Sequence, residues 1–509
     1  MFRKTIDSQI ESHPTVITCK KRARALRKSL AETGQKQTLM QCQSMAAQEL
    51  GYQDWFDLHN QIKLQVLAKK EDDYEDSPSM QSFNMIIEDA IKESATDIHF
   101  TVKAHHCDIT MRKYGEIMVY KYPILRKEAD EILSLVYNVL SGDSKTVVFN
   151  PKEIQSVVLE HETQNYKVRV LYSSLPIYPD GYTVVMKITQ VEDLKSKTIH
   201  GSHIGSLTQL GFAQSHEAMI DKIMENRRGS LFFSGPTGVG KSTTIMTTLR
   251  NFNAKTQYTK RIASIEEIVE KLVPGITQIP VPWVTGKDAS QETLDKAIMH
   301  QVLRSDNDVI YLDDSVARRN MDAMMEMIRE SFLVSSLHTS SAMNIIKRLY
   351  LLGYGYEILA QENFLSGLVN QTLLPTVCPH CSVSLMDRIK ETDDEKDKTI
   401  LNELKTHYPQ YEKHFSNLRV RGKGCQQCDY MGIKGRTACA EVIVIDDTMR
   451  EMIGQARIIE LEQYWKSSSD GDLLSENMQG KTAHEHALQK MLKGIVSVHD
   501  VYQWFGYLK

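Results

Sequence analysis

GPTGVGKS, Gly235 to Ser242, is the stretch on which the reading of this chain turns. The octet fits G-x-x-x-x-G-K-[ST] at its four fixed positions, Gly235, Gly240, Lys241 and Ser242, with Pro236, Thr237, Gly238 and Val239 between them and Thr243 opening the helix-prone run TTIMTTLRNF. An apolar run, SLFFSG (Ser230 to Gly235), leads straight into it. Strand, glycine loop and helix in that order suit phosphate binding. Glycines let successive backbone N–H groups converge on phosphate oxygens, and the helix N-terminus adds partial positive charge. Lys241 then reaches the outer phosphates, and the Ser242 hydroxyl can ligate Mg²⁺. A plain glycine-rich strand-to-helix turn would share the octet; the two flanks argue for a nucleotide.

A P-loop also needs a carboxylate at the end of a neighbouring buried strand, to hold the metal's water shell and orient the attacking water. DVIYLDD (Asp308 to Asp314) ends an apolar run on two aspartates. Asp313 is placed to serve Mg²⁺ and Asp314 to polarise water, although a strand followed by a solvated acidic turn would look the same. A second candidate is IEEIVE (Ile265 to Glu270), where Glu266 and Glu267 follow the strand-like RIASI. The third is LVSSLHT (Leu333 to Thr339), whose polar end would set His338 beside a γ-phosphate; a lone histidine after a strand is more often structural. From Ser230 onward strands alternate with helices, which predicts an α/β core with a parallel sheet.

The 509 residues leave room for further domains around that core. Residues 1–70 read as a helical module, with KKRARALRK (Lys20 to Lys28) offering either a solvated helix face or a contact for anionic lipid or an acidic partner. Residues 71–81, beginning EDDYED, read as an acidic linker. Residues 82–188 combine a helix, NMIIEDAIKESA, with the alternating runs DIHFTV, CDITMRKYGEIMVY, KTVVF, QSVVLEH, YKVRVLY and YTVVMKI, an α+β domain. Polar residues 189–206 link it to a P-loop segment spanning 207–509, whose C-terminal part reads as helical apart from a cysteine-bearing insertion at about 375–440. A net charge of −4 lacks the excess expected of a nucleic-acid motor, so no nucleic acid is expected as partner. No apolar run approaches a membrane span and no signal-peptide core opens the chain, so a cytoplasmic location with reduced cysteines is expected.

Four of those cysteines are ordered in two C-x-x-C pairs, CPHC (Cys378, Cys381) and CQQC (Cys425, Cys428). Each pair offers one edge of a Zn²⁺ tetrahedron, and together they close a four-thiolate structural site; a redox C-x-x-C needs only one pair. The charged gap between them, including DRIKETDDEKDK, reads as a surface excursion. Cys19, Cys42, Cys107 and Cys439 have no partner spacing and read as buried small hydrophobes.

In this order the motifs resemble the secretion ATPase superfamily, specifically the assembly ATPases of type IV pili and type II secretion. SIEEIVE (Ser264 to Glu270) resembles the family's aspartate box T-I-E-D-P-V-E, and LRSDNDVIYLDDSVA from Leu303 its L-R-Q-D-P-D-V-I-x-x-G-E-I-R-D. SSLHTSSA (Ser335 to Ala342) is similar to the histidine box S-T-L-H-T-N-S-A, and ATDIHF (Ala95 to Phe100) to A-S-D-I-H-I. GCQQCDYMGIKGRTACAEV resembles G-C-x-x-C-x-x-x-G-Y-x-G-R-x-x-x-x-E, a tetracysteine motif that retraction ATPases usually lack. The likeness runs from about Ser82 to the C-terminus. The departures include Asp313-Asp314 where the family has Gly-Glu, Val316 and Ala317 where it has Arg and Asp, and Glu267 where it has aspartate, a longer acid that could compensate for the shorter Asp314.

The resemblance implies a RecA-like P-loop ATPase core preceded by a PAS-like α+β domain, working as a homo-hexamer on ATP with Mg²⁺ and carrying Zn²⁺. It implies catalytic roles for Asp314, Glu267 and His338, and positions near nucleotide for Arg112 and Arg169. Hydrolysis would rotate the preceding domain against the P-loop domain and pass that motion to an inner-membrane platform protein, holding the chain at the membrane through a partner. Two rivals stay open: a conjugative or type IV secretion traffic ATPase, disfavoured by the tetracysteine motif, and a catalytically weak ring subunit that holds nucleotide as a structural ligand.

Overall fold

The computed structural model describes residues 13–32, 38–52, 54–55, 58, 77–121, 123–141, 148–195, 198–200, 205–281 and 291–506. The acidic residues 71–76 of the expected linker lie outside them. Helices α1 (Pro14–Glu32) and α2 (Leu39–Glu49) form the N-terminal module. Val16, Cys19 and Ala23, three and four residues apart on α1, bury one stripe against Cys42, Ala46 and Ala47 of α2. Lys21, Arg22, Arg24, Arg27 and Lys28 lie exposed on the rest of α1.

α3 (Pro78–Lys92) begins four residues before the expected start at Ser82. Ser77 caps it by accepting from Met80 N, and Pro78 occupies a first-turn position where no N–H is needed. The α+β domain continues with β1 (Ala95–Val102), β2 (His106–Lys113), β3 (Glu116–Val119), β4 (Ile124–Leu125), α4 (Arg126–Leu140), β5 (Gln155–Glu162), β6 (Tyr166–Ile177) and β7 (Gly181–Asp193). The sheet order is β3-β2-β1-β7-β6-β5, antiparallel where the registers run, with β4 against β2. β7 carries on through Asp193, so the first residues of the expected linker are strand. KTVVF, expected as a strand, is not one over its described residues: Phe149 leaves the sheet to pack its ring on Tyr137, Tyr172 and Tyr182. The amphipathic α4 is a further departure from the expected strand-rich domain; Ala129, Ile132, Leu133, Val136 and Tyr137 repeat at helical spacing and are all buried.

By chain contacts the molecule divides into two compact units, with the main boundary near Lys197. After the short β8 (Thr198–His200), the second unit holds α5 (Gln214–Met224), β9 (Gly229–Ser234), α6 (Lys241–Lys255), β10 (Ile262–Glu266), β11 (Thr277–Pro280), α7 (Gln291–Leu303), β12 (Val309–Leu312), α8 (Asp314–Arg319), α9 (Met321–Glu330) and β13 (Phe332–Leu337). Then follow α10 (Met343–Leu351), α11 (Tyr356–Leu359), β14 (Gly367–Val377), β15 (Val383–Ser384), α12 (Leu385–Thr392), α13 (Glu395–His407), β16 (Arg419–Val420), β17 (Ile433–Val444), α14 (Asp447–Gly454), α15 (Ile458–Ser467), α16 (Ala483–Leu492) and α17 (Val498–Phe505). Seven strands order β11-β10-β12-β13-β9-β14-β17, parallel throughout except for β17. β9, β10, β12 and β13 are buried along their whole length, as a sheet covered on both faces requires.

Within the cysteine-bearing insertion and four residues beyond its expected end, β17 runs to Val444 and adds an edge strand to the core sheet. The gap between the cysteine pairs is not a bare excursion. α12, α13 and the turns up to Leu418 bury Leu385, Ile400, Leu404 and Phe415 in one cluster with Leu488, Met491, Val498 and Val501 of α16 and α17. Asp397 of α13 is fully buried, accepts from His499 Nε2 at 2.6 Å and forms an ion pair with Arg388, whose Nε lies 2.9 Å away, tying α12, α13 and α17 together.

Candidate functional site

Four neighbouring strands, β10, β12, β13 and β9, end side by side, with Ile265 level with Leu312, Leu312 with Ser335, and Leu337 with Ser234. The next residues of the four strands are the acids at 266–267, the aspartates at 313–314, His338 and the glycine loop. The C-terminal edge of a parallel sheet therefore gathers what the sequence scatters over a hundred residues.

The glycine loop is shaped by two demands. Gly235 has φ +139°, and a Cβ there would stand 2.3 Å from Gln371 O of β14, so no larger residue fits. Gly240, at φ 85°, caps α6 in the left-handed region and points its first N–H groups along the loop. Gln371 braces the same loop from the next strand, its Nε2 donating to Val239 O at 2.7 Å. Lys241 Nζ donates to Gly235 O at 2.8 Å and Pro236 O at 2.9 Å. Burial pulls its pKa down to about 8, against the raising effect of Asp314 and Asp313.

The acids at the strand ends divide into two groups. On one side, Asp313 and Glu266 line a cavity of about 80 Å³ with Ser242, Tyr311, Glu270 and Lys271. Asp313 Oδ1 accepts from the Tyr311 hydroxyl and Oδ2 from Ser315 Oγ, both at 3.2 Å. Glu266 Oε1 accepts from Ser264 Oγ at 2.6 Å and Gln278 Nε2 at 3.1 Å. Burial pushes both carboxyls above their usual range despite those bonds. A buried acid, Glu266, and a half-buried one, Asp313, lining one cavity with a hydroxyl at a helix N-terminus are a donor set for a hard cation, whose charge would offset the desolvation that raises them.

On the other side, Asp314 begins α8 and faces His338. His338 Nε2 lies 3.4 Å from Asp314 Oδ2, and His338 Nδ1 lies 3.4 Å from Lys241 Nζ. Burial, followed by Lys241, lowers the His338 pKa, so the ring is neutral at neutral pH. The Asp314 side chain is 8% exposed, and Arg318, one turn along α8, donates to both of its oxygens.

At the far end of β14 the four cysteines come together, all sulfurs within 4.8 Å of one another. Cys378 Sγ to Cys425 Sγ is 3.8 Å, Cys381 to Cys428 3.7 Å and Cys425 to Cys428 3.8 Å. A tetrahedron with arms of ~2.3 Å has edges of ~3.8 Å, so the donor set fits Zn²⁺. Cys428 Sγ also accepts from Cys425 N and Gly432 N, each at 3.2 Å; against burial, these bonds hold its thiol down to about 6. The other four cysteines are buried, as expected.

The family model for the Type II/IV secretion system protein matches residues 72–502. The chain belongs to that family. A second model, for a glyoxalase superfamily protein, matches residues 9–82. Among the secretion-family relatives, Type II secretion system protein E of Pseudomonas aeruginosa is 24% identical over 86% of this chain and 76% of its own length. The type IV pilus assembly ATPase PilB of Thermus thermophilus is 25% identical over 84% of this chain and 43% of its own length. In fold, the ATPase DotB of Legionella pneumophila superposes with a TM-score of 0.55 at 14% identity, covering 83% of this chain and 95% of that one.

Within this family member, the structure brings together the P-loop, Asp313, Asp314 and His338, and separates Glu267 from them. Glu267 turns to Arg319, 3.9 Å away, while its neighbour Glu266 enters the cavity with Ser242. Asp314 and Glu267 are thus held by different arginines, and the exchange of acid lengths is not a contact between the two. Arg112 lies on β2 opposite Asp97, and Arg169 on β6 is 2.9 Å from Glu160 of β5. Both are strand residues of the first unit. Sequence reasoning passes over Arg318 and Gln371, which carry no motif signal. It gives Glu441 no role: this fully buried acid accepts from Ala342 N at 2.5 Å and Ala483 N at 3.0 Å, serving two helix starts at once.

Proposed function

We infer that this chain is an ATP hydrolase that powers type II secretion or type IV pilus assembly. The observation that carries the reading is the row of strand ends, which presents a P-loop, two acids facing Ser242 and an acid–histidine pair facing Lys241 on one sheet edge. Membership of the secretion family agrees with it, and the tetracysteine cluster supports the assembly branch.

Each residue then has a task. The loop N–H groups and the α6 terminus hold phosphates, and Lys241 leaves its loop carbonyls to pair with the outer phosphate oxygens. Ser242, Asp313 and Glu266 would hold Mg²⁺, which supplies charge neutralisation between the outer phosphates. Asp314 orients the attacking water and accepts its proton, and His338 holds that carboxylate toward Lys241. Glu267 fixes the start of the following loop through Arg319. Cys378, Cys381, Cys425 and Cys428 hold Zn²⁺ as a fold element, and no step of hydrolysis passes through it. Ring assembly as a homo-hexamer, action at the cytoplasmic face of an inner membrane through a platform protein, and approach of Arg112 and Arg169 to nucleotide belong to this reading as proposals. No helix among the described residues is long and apolar enough to cross a membrane.

The test is ATP turnover by the full chain, with and without the cytosolic part of a platform protein, beside Lys241→Ala. Turnover by the wild type that Lys241→Ala abolishes is expected. Undiminished turnover in the variant refutes the P-loop assignment, and a wild type that binds ADP but never hydrolyses ATP leaves the nucleotide as a structural ligand.

A further inference from the structure

Two consecutive arginines end α8 and serve different ends. Arg319 turns into the protein, where its Nε donates at 2.9 Å to Asp295, a carboxylate only 1% exposed that also accepts from Asn320 Nδ2. Arg318 turns to the strand-end row. Its Nε donates to Asp314 Oδ1 at 3.0 Å and its Nη2 to Oδ2, a two-point grip on a buried carboxylate, while the Arg318 side chain itself stays 43% exposed.

From Arg318 the row runs on through Asp314 and the neutral His338 to Lys241. Two cations therefore flank one anion, and the row has a charge to spare for a phosphate. The Arg318 charge is also felt at the imidazole, after burial and Lys241, as one of the influences that lower its pKa. A guanidinium has five N–H donors in a rigid plane, of which Asp314 takes two, so the same fork can hold a carboxylate and a phosphoryl oxygen together.

We propose that Arg318 is a catalytic residue supplied in cis: held ready by Asp314, it contacts the γ-phosphoryl oxygens as charge builds on them during hydrolysis. The grip fixes the guanidinium before the reaction begins, which is the condition for electrostatic stabilisation without reorganisation. The same carboxylate that orients water thus carries the cation that neutralises the group under attack. This proposal rests on the reading of the chain as an ATP hydrolase.

Arg318→Ala and Arg318→Lys in the full chain test it, with two ligands: Mg·ADP, and Mg·ADP with aluminium fluoride standing in for the transferring phosphoryl. In Arg318→Ala the affinity for ADP should stay within about twofold, while affinity for the fluoride complex and kcat should each fall by about 10² to 10³. Arg318→Lys should recover only a small part, since an ammonium lacks the planar fork. Equal losses for both ligands would make Arg318 structural, and no loss for either would leave it without a role; both outcomes overturn the proposal. A wild type that binds ADP yet shows neither turnover nor preference for the fluoride complex refutes the hydrolase reading instead, and the proposal falls with it.

Discussion

Changing Cys425 to Ser removes one corner of the sulfur tetrahedron, and its expected effect follows from the geometry. Three of its edges, at 3.7 to 3.8 Å, match arms of ~2.3 Å, and all four sulfurs lie within 4.8 Å of one another, so the four thiolates are already gathered for one ion. Structural zinc in small sites contributes on the order of 10 kcal/mol or more, which rivals the ~5–15 kcal/mol of a whole domain's stability. Cys378 N donates to Gly432 O at 3.0 Å, so the cluster pins the exit of β14 to the entry of β17, where the chain between them leaves and rejoins the sheet. The apolar cluster of α12 and α13 still packs on α16 and α17. Loss of the metal should therefore open the two cysteine segments, residues 378–384 and 421–432, first and leave the seven-stranded sheet intact. Elemental analysis should give one zinc per chain in the wild type and almost none in Cys425→Ser. Limited proteolysis should then cut between Cys378 and Gly432 in the variant, and in wild type after chelation, before any other site. A metal-free wild type with unchanged melting and digestion would refute the argument.

Glu266 gives a prediction in pH. Its folded pKa lies above its unfolded value because of burial, so its contribution to stability is fully present below the unfolded value and is lost as pH rises through the folded one. Glu266→Gln keeps an oxygen for both Ser264 and Gln278 and removes the ionisation. The stability of the variant should therefore gain on wild type as pH rises above about 4.5, by ~1.4 kcal/mol for every tenfold by which burial weakens the acid, read as a widening gap in melting temperature; a gap that stays constant or shrinks contradicts the buried-acid reading. Asp314→Glu and Glu267→Asp, held by Arg318 and Arg319 respectively, should change kcat additively to within about 0.5 kcal/mol. A larger coupling in the double variant would show that the two acids share one task after all.

Much of this was legible in the chain because the chemistry is written in contiguous residues. A glycine loop between an apolar strand and a helix, two acids at the end of DVIYLDD, and paired C-x-x-C motifs each state their own geometry, since the backbone alone sets the spacing of their ligands. Tertiary structure decided what depends on a second segment. Strands buried on both faces carry no alternation, so nothing local told Glu266 from Glu267 as the acid that enters the cavity; the pairing of β10 between β11 and β12 did. β17 was hidden for a related reason: its residues from Thr437 to Ile443 are all buried, and only β14, alongside in antiparallel register, makes them a strand of the core. The last such choice is on α8, where Arg318 and Arg319 are indistinguishable as sequence. One helix step of about 100° sends them to opposite partners, and the carboxylates that receive them, Asp314 from the same helix and Asp295 from α7, are brought to those sides only by the folded sheet.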